Sequence, residues 1–382
     1  MTVINSIADF RALARRRIPR AIFDYADRGS YDEITLRRNR AELDAVRLRQ
    51  RVMVDVACRS LATSLAGQAS TMPLGIGPTG LTGLFHADGE IHGLRAAAAA
   101  GIPFCLSTLS ICSIEDLRAA TQLPFWFQLY LMRDRAFNAE LIERARAAHA
   151  HHLQIERQHQ HRAVRRRDAK NGLSVPPKLT LRNLLDVLGK PRWIAGMLST
   201  RRHSFGNLEG RMSAGTGMRN LSEWVAGQFD ASATWQDAAW VRERWPGKLV
   251  LKGVLDAADA REAAAIGADA VVVSNHGGRQ LDGATSSIDA LPEVAAALKG
   301  RCEVLFDGGV MSGQDVLKAL ASGAQGCFMG KAFLYALAAR GEAGVTLALE
   351  IIGRELAISM ALAGVTDVKN IDSRVLWQAE RP

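Results

Sequence analysis

A histidine and an arginine three residues apart, with two glycines between them, lie within residues 271–283, VVVSNHGGRQLDG. His276 titrates near neutral pH and is suited to accept a proton from a bound substrate. Arg279 presents a planar fork that matches a carboxylate. Gly277 and Gly278 let the backbone come close to a ligand. A lone histidine in a glycine-rich turn is more often merely capped. The pairing of a base with a carboxylate clamp at a strand end reverses that reading and points to proton abstraction from a small acid.

The elements that must position this pair follow from the hydrophobic rhythm. Val271 to Val273 read as a buried strand, and the polar residues fall just beyond its C-terminal end, where parallel α/β proteins present reactive groups. From residue 72 onward, strand-like runs alternate with helical ones: MPLGIGPTG, PFCLSTLS, PFWFQLYLM, KLVLKGVLD, ADAVVVSNHGG, CEVLFDGG and AQGCFMGKAFL are each followed by an amphipathic or alanine-rich stretch. Ser113 caps the helix after the second strand, and Asp116 complements its first turn. The count reaches eight if residues 150–158 hold one strand, so a closed (β/α)8 TIM barrel is expected. No GxGxxG opens a helix after the first strand, which argues against a dinucleotide fold. Residues 1–70 form an N-terminal helical extension, with residues 6–29 helical around Pro19. Residues 71–365 form the barrel, 172–222 an inserted loop after strand 4, and 341–368 one long helix on the outer wall. The whole chain, 1–382, is read as a single domain.

Composition bounds the function. With 382 residues and 48% apolar content, the chain can bury a large core, and its longest apolar runs fall far short of a membrane span. The N-terminus, MTVINSIADFRALARRRIP, has no apolar h-region, so a secretory signal is not expected. The five cysteines show no CxxC spacing, so neither a disulfide framework nor a zinc site is expected, and no metal is assigned. Net charge is +9, concentrated at Arg15–Arg17 and between Arg157 and Arg219. No aromatics interleave the basic run at 162–170, so a nucleic-acid partner is not expected. An anionic membrane surface or a solvated face fits better.

Barrel strand ends converge on one face. Here they supply Pro78 and Thr79, Ser107, Gln128 and Tyr130, Lys252, Ser274 and His276, Asp307, Gly308 and Gly309, and Gly330 and Lys331. The last two strands end in glycine-rich turns, the positions at which barrels commonly cradle a phosphate on backbone N–H groups. The joint pattern implies a phosphate-bearing cofactor across the barrel mouth, with Lys252 bringing positive charge near it.

SNHGGRQLDG, with LKG upstream and DGG downstream, resembles the FMN-dependent α-hydroxy-acid dehydrogenase and oxidase family, which includes bacterial L-lactate and mandelate dehydrogenases and glycolate oxidase. The resemblance covers about Phe10 to Gly364. It implies FMN as cofactor and oxidation of an L-2-hydroxy acid to the 2-oxo acid. By this resemblance His276 is the base. Arg279 binds the substrate carboxylate with Arg165 and Tyr25, and Tyr130 bonds the substrate hydroxyl or carboxylate. Pro78, Thr79, Ser107, Gln128, Lys252 and Ser274 contact the flavin, with Lys252 stabilising its reduced anion. Asp307, Gly308, Gly309, Gly330 and Lys331 hold the ribityl phosphate end. The residues leave open whether His276 takes its proton from carbon or from the hydroxyl. The resemblance also implies a homotetramer.

The chain departs from the family in three places. The fourth strand should be an apolar run ending in Thr-x-Asp, whose aspartate orients the histidine. Here AHAHHLQIERQHQHRAVRRRD puts Glu156 at the threonine and Gln158 at the aspartate. Five of the nine histidines lie in this segment, which reads poorly as a buried strand. A histidine metal cluster is disfavoured, because a barrel strand should not carry one. A compensated frameshift is the preferred reading, and the coding DNA tests it. Met311 stands for an arginine that contacts the phosphate, and Lys331 also replaces an arginine, so weaker FMN binding is expected. Two readings follow: an active flavoenzyme, or a catalytically impaired member that acts as a binding protein or is a degenerate gene product.

The inserted loop carries an amphipathic piece, LTLRNLLDVL, and a basic piece with Trp193. An interfacial membrane segment through residues 176–215 and a surface loop closing over the site stand side by side. In the family such loops accompany membrane-associated dehydrogenases that pass electrons to quinones. That favours a cytoplasmic protein peripheral on the inner face of the inner membrane. The WFQLY context and the long loop lean towards lactate or mandelate over glycolate.

Overall fold

The computed structural model describes residues 3–156, 180–209 and 227–377. Three helices, α1 (Ile7–Arg17), α2 (Arg20–Asp27) and α3 (Ile34–Ala45), precede a short hairpin of β1 (Thr63–Leu65) and β2 (Gln68–Ser70). The single helical stretch expected over 6–29 is two helices. Pro19 has no N–H to continue the first and instead caps the second.

Eight parallel strands follow: β3 (Leu74–Ile76), β4 (Cys105–Ser107), β5 (Trp126–Tyr130), β6 (His152–Glu156), β7 (Lys248–Val254), β8 (Ala270–Val273), β9 (Glu303–Phe306) and β10 (Gly326–Met329). They pair in the order β3-β10-β9-β8-β7-β6-β5-β4, and a parallel bridge from Ile76 to Phe104 closes the ring. The expected TIM barrel is therefore what forms. The crossovers are α4 (Gly89–Ala99), α5 (Ile114–Ala120), α6 (Arg135–Ala147), α7 (Leu181–Leu188), α8 (Pro191–Ser199), α9 (Trp235–Arg244), α10 (Ala257–Ala265), α11 (Ser287–Leu298), α12 (Gly313–Ala321) and α13 (Lys331–Leu362). Ser113 does cap α5 and Asp116 completes a capping box. The C-terminal helix begins earlier than expected, at Lys331, and is kinked at Arg340–Gly341, where Gly341 has φ +60.

Inward positions alternate with helix-facing ones along each strand. Near the barrel floor they are apolar: Cys105, Trp126, Val250, Ala270, Val272, Leu305 and Phe328 form one buried cluster with Leu65 and Ala66 of the hairpin. The hairpin closes the floor, with Trp126 Nε1 donating to Gln68 Oε1 at 2.6 Å and Ala66 N to Glu303 Oε2 at 2.9 Å. Towards the C-terminal ends the inward positions turn polar: Gln128, Gln154, Lys252 and Ser274 are all buried.

The fourth barrel strand corrects the expectation that this segment is a poor buried strand. All five residues of β6 are buried, and the strand pairs with β5 on one side and β7 on the other. Leu153 and Ile155 supply the outward apolar face. Of the inward polar residues, His152 and Glu156 find partners, whereas both side-chain polar atoms of Gln154 are buried with none among the described residues. His152 stacks on Trp126 at 4.2 Å between centroids and bonds the Ala66 carbonyl at 2.9 Å. Burial holds its pKa down at about 4, so it lies neutral in the floor. Glu156 pairs with Lys252 and bonds His276 at the mouth. Gln158 and Arg165 lie outside the described residues.

Candidate active site

At the C-terminal ends of β5, β6 and β7, Tyr130, Glu156 and Lys252 fall on one rung of the sheet. A register shift between Lys252 and Val254, with Gly253 at φ +98, ends the regular ladder beside the lysine. Lys252 Nζ donates to Glu156 Oε1 at 2.6 Å and lies 3.7 Å from Asp307 Oδ2 and 3.5 Å from His276 Nδ1. Burial disfavours the ammonium, but Glu156 and Asp307 outweigh it, and the Lys252 pKa is raised.

His276 follows β8 in a left-handed backbone conformation, φ +57, and Gly277 and Gly278 continue it. For a non-glycine residue this costs about 1 kcal/mol and is the kind of strain that functional sites retain. The turn is held from several sides. His276 N donates to Ser274 Oγ at 3.0 Å, and Ser274 Oγ donates to Asp307 Oδ2 at 3.1 Å. Asn275 and Asn39 exchange amide hydrogen bonds at 2.6 and 2.8 Å. A Cβ on Gly278 would lie 2.5 Å from Leu36 N, so only glycine lets α3 seat on the turn. The His276 side chain remains 21% exposed, with Nδ1 turned inward onto Glu156 Oε1. Burial and Lys252 lower its pKa, and Glu156 opposes them.

Arg279 lies 4.7 Å above the Tyr25 ring, and its Nη1 donates to the Tyr25 carbonyl. Tyr25 thus comes to the site from the N-terminal extension, as expected. Asp282 receives the Asp32 and Thr35 amides at 3.0 and 2.9 Å, locking that extension onto the same loop. Tyr130 is buried edge-on against Phe229, with centroids 5.5 Å apart. Arg165 lies outside the described residues.

The expected cofactor residues also converge. Ser107 Oγ donates to Gln128 Oε1 at 3.0 Å, leaving Gln128 Nε2 buried with no partner among the described residues. Thr79 lies beside Gly330, 3.6 Å from where a Cβ would stand, and Pro78 adjoins it half-buried. Gly308 and Gly309 have φ of +128 and +129, and Lys331 opens α13 with no side-chain cap before it. Lys331 Nζ is buried without a partner among the described residues. Burial and the nearby Arg279 push its pKa down to about 7. An unsatisfied buried ammonium at a helix N-terminus, beside a glycine turn, fits a phosphate. The orphaned Gln128 amide fits an acceptor on a planar ring. Met311, where an arginine was expected, is half-buried against the core. Arg40 does reach the Gly309 carbonyl at 3.1 Å, but it is engaged by Asp315 at 2.7 Å and Asp44 at 2.6 Å.

Reading the sequence missed Glu156 as a member of the site. The ungapped count expected the histidine's partner at position 158, which lies outside the described residues, and put Glu156 at the family's threonine. The only available signal was its place on a rung with Lys252. Also missed was Asn207, near the end of the insertion. Its amide bonds the Ser107 carbonyl and Ser110 Oγ at 3.2 and 3.0 Å, buttressing the second strand's loop.

A family model described as FMN-dependent dehydrogenase matches residues 14–378. An L-lactate dehydrogenase of Caulobacter vibrioides is 48% identical over 381 residues, covering 99% of this chain and 98% of that protein. An L-lactate dehydrogenase of Xanthomonas campestris pv. campestris is 44% identical over 381 residues, covering 99% of this chain and 98% of its own. The crystal structure of the monotopic membrane protein (S)-mandelate dehydrogenase superposes with a TM-score of 0.93 at 35% identity, covering 99% of this chain and all of that one. A mandelate oxidase structure superposes at 0.83 and 35% identity, covering 98% of each chain. With its barrel and these relatives in agreement, the chain belongs to the FMN-dependent dehydrogenase family.

Proposed function

We propose that this FMN-dependent L-2-hydroxy-acid dehydrogenase takes lactate or a mandelate-like acid, with His276 as base and Arg279 as carboxylate anchor, and passes its electrons to a quinone. The observation that carries the site reading is the placement of His276 beside a buried carboxylate, with Arg279 on the same loop. Arg279 and Tyr25 fix the acid's carboxylate, and Tyr130 bonds its hydroxyl or carboxylate, which sets the α-carbon in one orientation. His276 accepts a substrate proton at Nε2, the ring nitrogen not engaged by Glu156. FMN, when bound, takes up the two electrons. Gln128, Ser107, Ser274, Thr79 and Pro78 would hold its ring, and Asp307, Gly308, Gly309, Gly330 and Lys331 its ribityl phosphate. The preparation should be yellow, and L-lactate or (S)-mandelate should bleach it anaerobically. Protein that takes up FMN but is bleached by no 2-hydroxy acid overturns the reading. Faster reoxidation by a short-chain quinone than by oxygen supports the acceptor, and the reverse refutes it.

FMN affinity should depend on pH through Lys331. In the free protein its pKa lies near 7, so above that pH the ammonium must regain a proton to meet the phosphate. Calorimetry should show proton uptake on FMN binding at pH 8, and Kd weakening by up to about tenfold per pH unit above 7. The slope should vanish in Lys331→Met.

The same proposal includes peripheral attachment to the cytoplasmic face of an anionic membrane through the insertion, and a homotetramer, which sedimentation of the loaded protein tests. Leu181, Leu184, Leu185, Leu188 and Leu198 of α7 and α8 stand exposed beside Arg182, Lys190 and Arg192. No helix among the described residues is long and apolar enough to cross a membrane. The insertion is also tied to the mouth: Trp193 Nε1 donates to the Leu84 carbonyl at 2.7 Å, and Arg202 bonds Asp88 and Asp116 at 2.9 and 2.8 Å. Deleting residues 176–215 would remove these supports, so substitution is the cleaner test. Serine at Leu184, Leu185, Leu188 and Leu198 should abolish salt-sensitive pelleting with phosphatidylglycerol vesicles while kcat with soluble acceptors persists. Absence of pelleting by the parent at low salt refutes the attachment.

A further inference from the structure

We propose that Glu156 is a positioning residue that serves two groups through one oxygen, orienting His276 as a base and neutralising Lys252. The inference rests on the reading of His276 as the base and adds to it a carboxylate from a position where the family pattern expects a threonine. Glu156 and Lys252 have side-chain exposures of 5% and 4%, so water screens neither. Oε1 accepts from Lys252 Nζ at 2.6 Å and from His276 Nδ1. Burial alone would protonate Glu156, but Lys252 and His276 outweigh it and hold it ionised, at about 2. An ionised carboxylate can only accept, so Nδ1 must carry the proton. Lys252 Nζ, itself a donor, is farther from Nδ1, at 3.5 Å, and does not reverse this. The Nε2 lone pair is thereby directed away from the carboxylate.

The charges explain what the arrangement does. With His276 neutral, the buried Lys252 and Glu156 and the partly exposed Asp307 sum to one excess negative charge, with the cation of Arg279 also acting on the histidine. When His276 takes a proton the group becomes neutral. Glu156 therefore works in favour of protonating His276, against burial, Lys252 and Arg279, which together still hold its pKa below the ordinary value. The same carboxylate takes up the charge that Lys252 would otherwise direct at an anionic, reduced cofactor. Basicity of the histidine and electron affinity of the cofactor are coupled in opposite directions.

The first test uses the unmutated, FMN-free protein. Histidine 15N NMR should show His276 as the Nδ1–H tautomer, and an Nε2–H tautomer overturns the proposal whether or not any variant folds. In Glu156→Gln the His276 pKa should fall by about 1–2 units, and a shift below about 0.3 unit overturns the orienting role. In FMN-loaded Glu156→Gln the reduced cofactor should be stabilised roughly tenfold relative to the oxidised form, raising the two-electron potential by about 30 mV. An unchanged potential overturns the Lys252 half. If the loaded parent is bleached by no 2-hydroxy acid, the dehydrogenase reading fails, while the tautomer still decides the role of Glu156.

Discussion

His276→Asn should lower kcat by about a thousandfold while FMN stays bound. Removal of a general base typically costs about 10²–10⁴ in rate. Asparagine is the informative substitution, because residue 276 has φ +57, a conformation asparagine tolerates and alanine resists. The turn carrying Gly277, Gly278 and Arg279 should therefore persist, and the loss should appear in the bleaching rate rather than in KM. A fall of less than tenfold in anaerobic stopped-flow removes His276 from the role of base. The pH profile gives an independent check. The base must be neutral to work, so kcat/KM rises with pH through its pKa. Because burial lowers that pKa, the rising limb should lie below the usual 6.5 and should disappear in the variant.

Arg279→Lys should lower kcat/KM by roughly a hundredfold, or about 2–3 kcal/mol, chiefly through KM. The substitution keeps the charge but loses the planar fork, and with it the stacking over Tyr25 at 4.7 Å and the hold of Nη1 on the Tyr25 carbonyl. Binding of an unreactive 2-oxo acid, read from the FMN spectrum, should weaken in parallel. Loss of kcat at unchanged inhibitor affinity would mean that Arg279 does not anchor the carboxylate. Tyr25→Phe, which leaves the carbonyl and the ring in place, should cost far less.

The barrel was legible because seven of its strands are apolar runs bounded by glycine or proline, and a run such as AVVV at β8 admits no other reading. The site was legible because parallel strands deliver their last residues to one face. The fourth strand was not. Its polarity argued against burial, and that inference fails at His152 and Glu156 because each meets a partner distant in sequence, while Gln154 is buried with no partner among the described residues. His152 is compensated by Trp126 and the Ala66 carbonyl, and Glu156 by Lys252 and His276, the last 120 residues away. No local pattern encodes such pairings. The C-terminal helix was misjudged for the opposite reason: AQGCFMGKAFL looks like one continuous apolar strand, yet the chain becomes helical at Lys331.

The contact between Tyr25 and Arg279, which joins distant parts of the chain, has a consequence for synthesis. Tyr25 and Arg279 lie 254 residues apart, and α1 packs against α13, which follows the last barrel strand. A ribosome adding about 5–20 residues per second needs roughly 10–50 s to deliver Arg279 after Tyr25. Throughout that interval Phe10, Ile18 and Phe23, all buried in the finished molecule, have no barrel to cover them. The emerging amino-terminal helices should therefore be a client of chaperones that hold apolar nascent segments. Yield in the cell should be limited by this wait more than by the stability of the completed barrel.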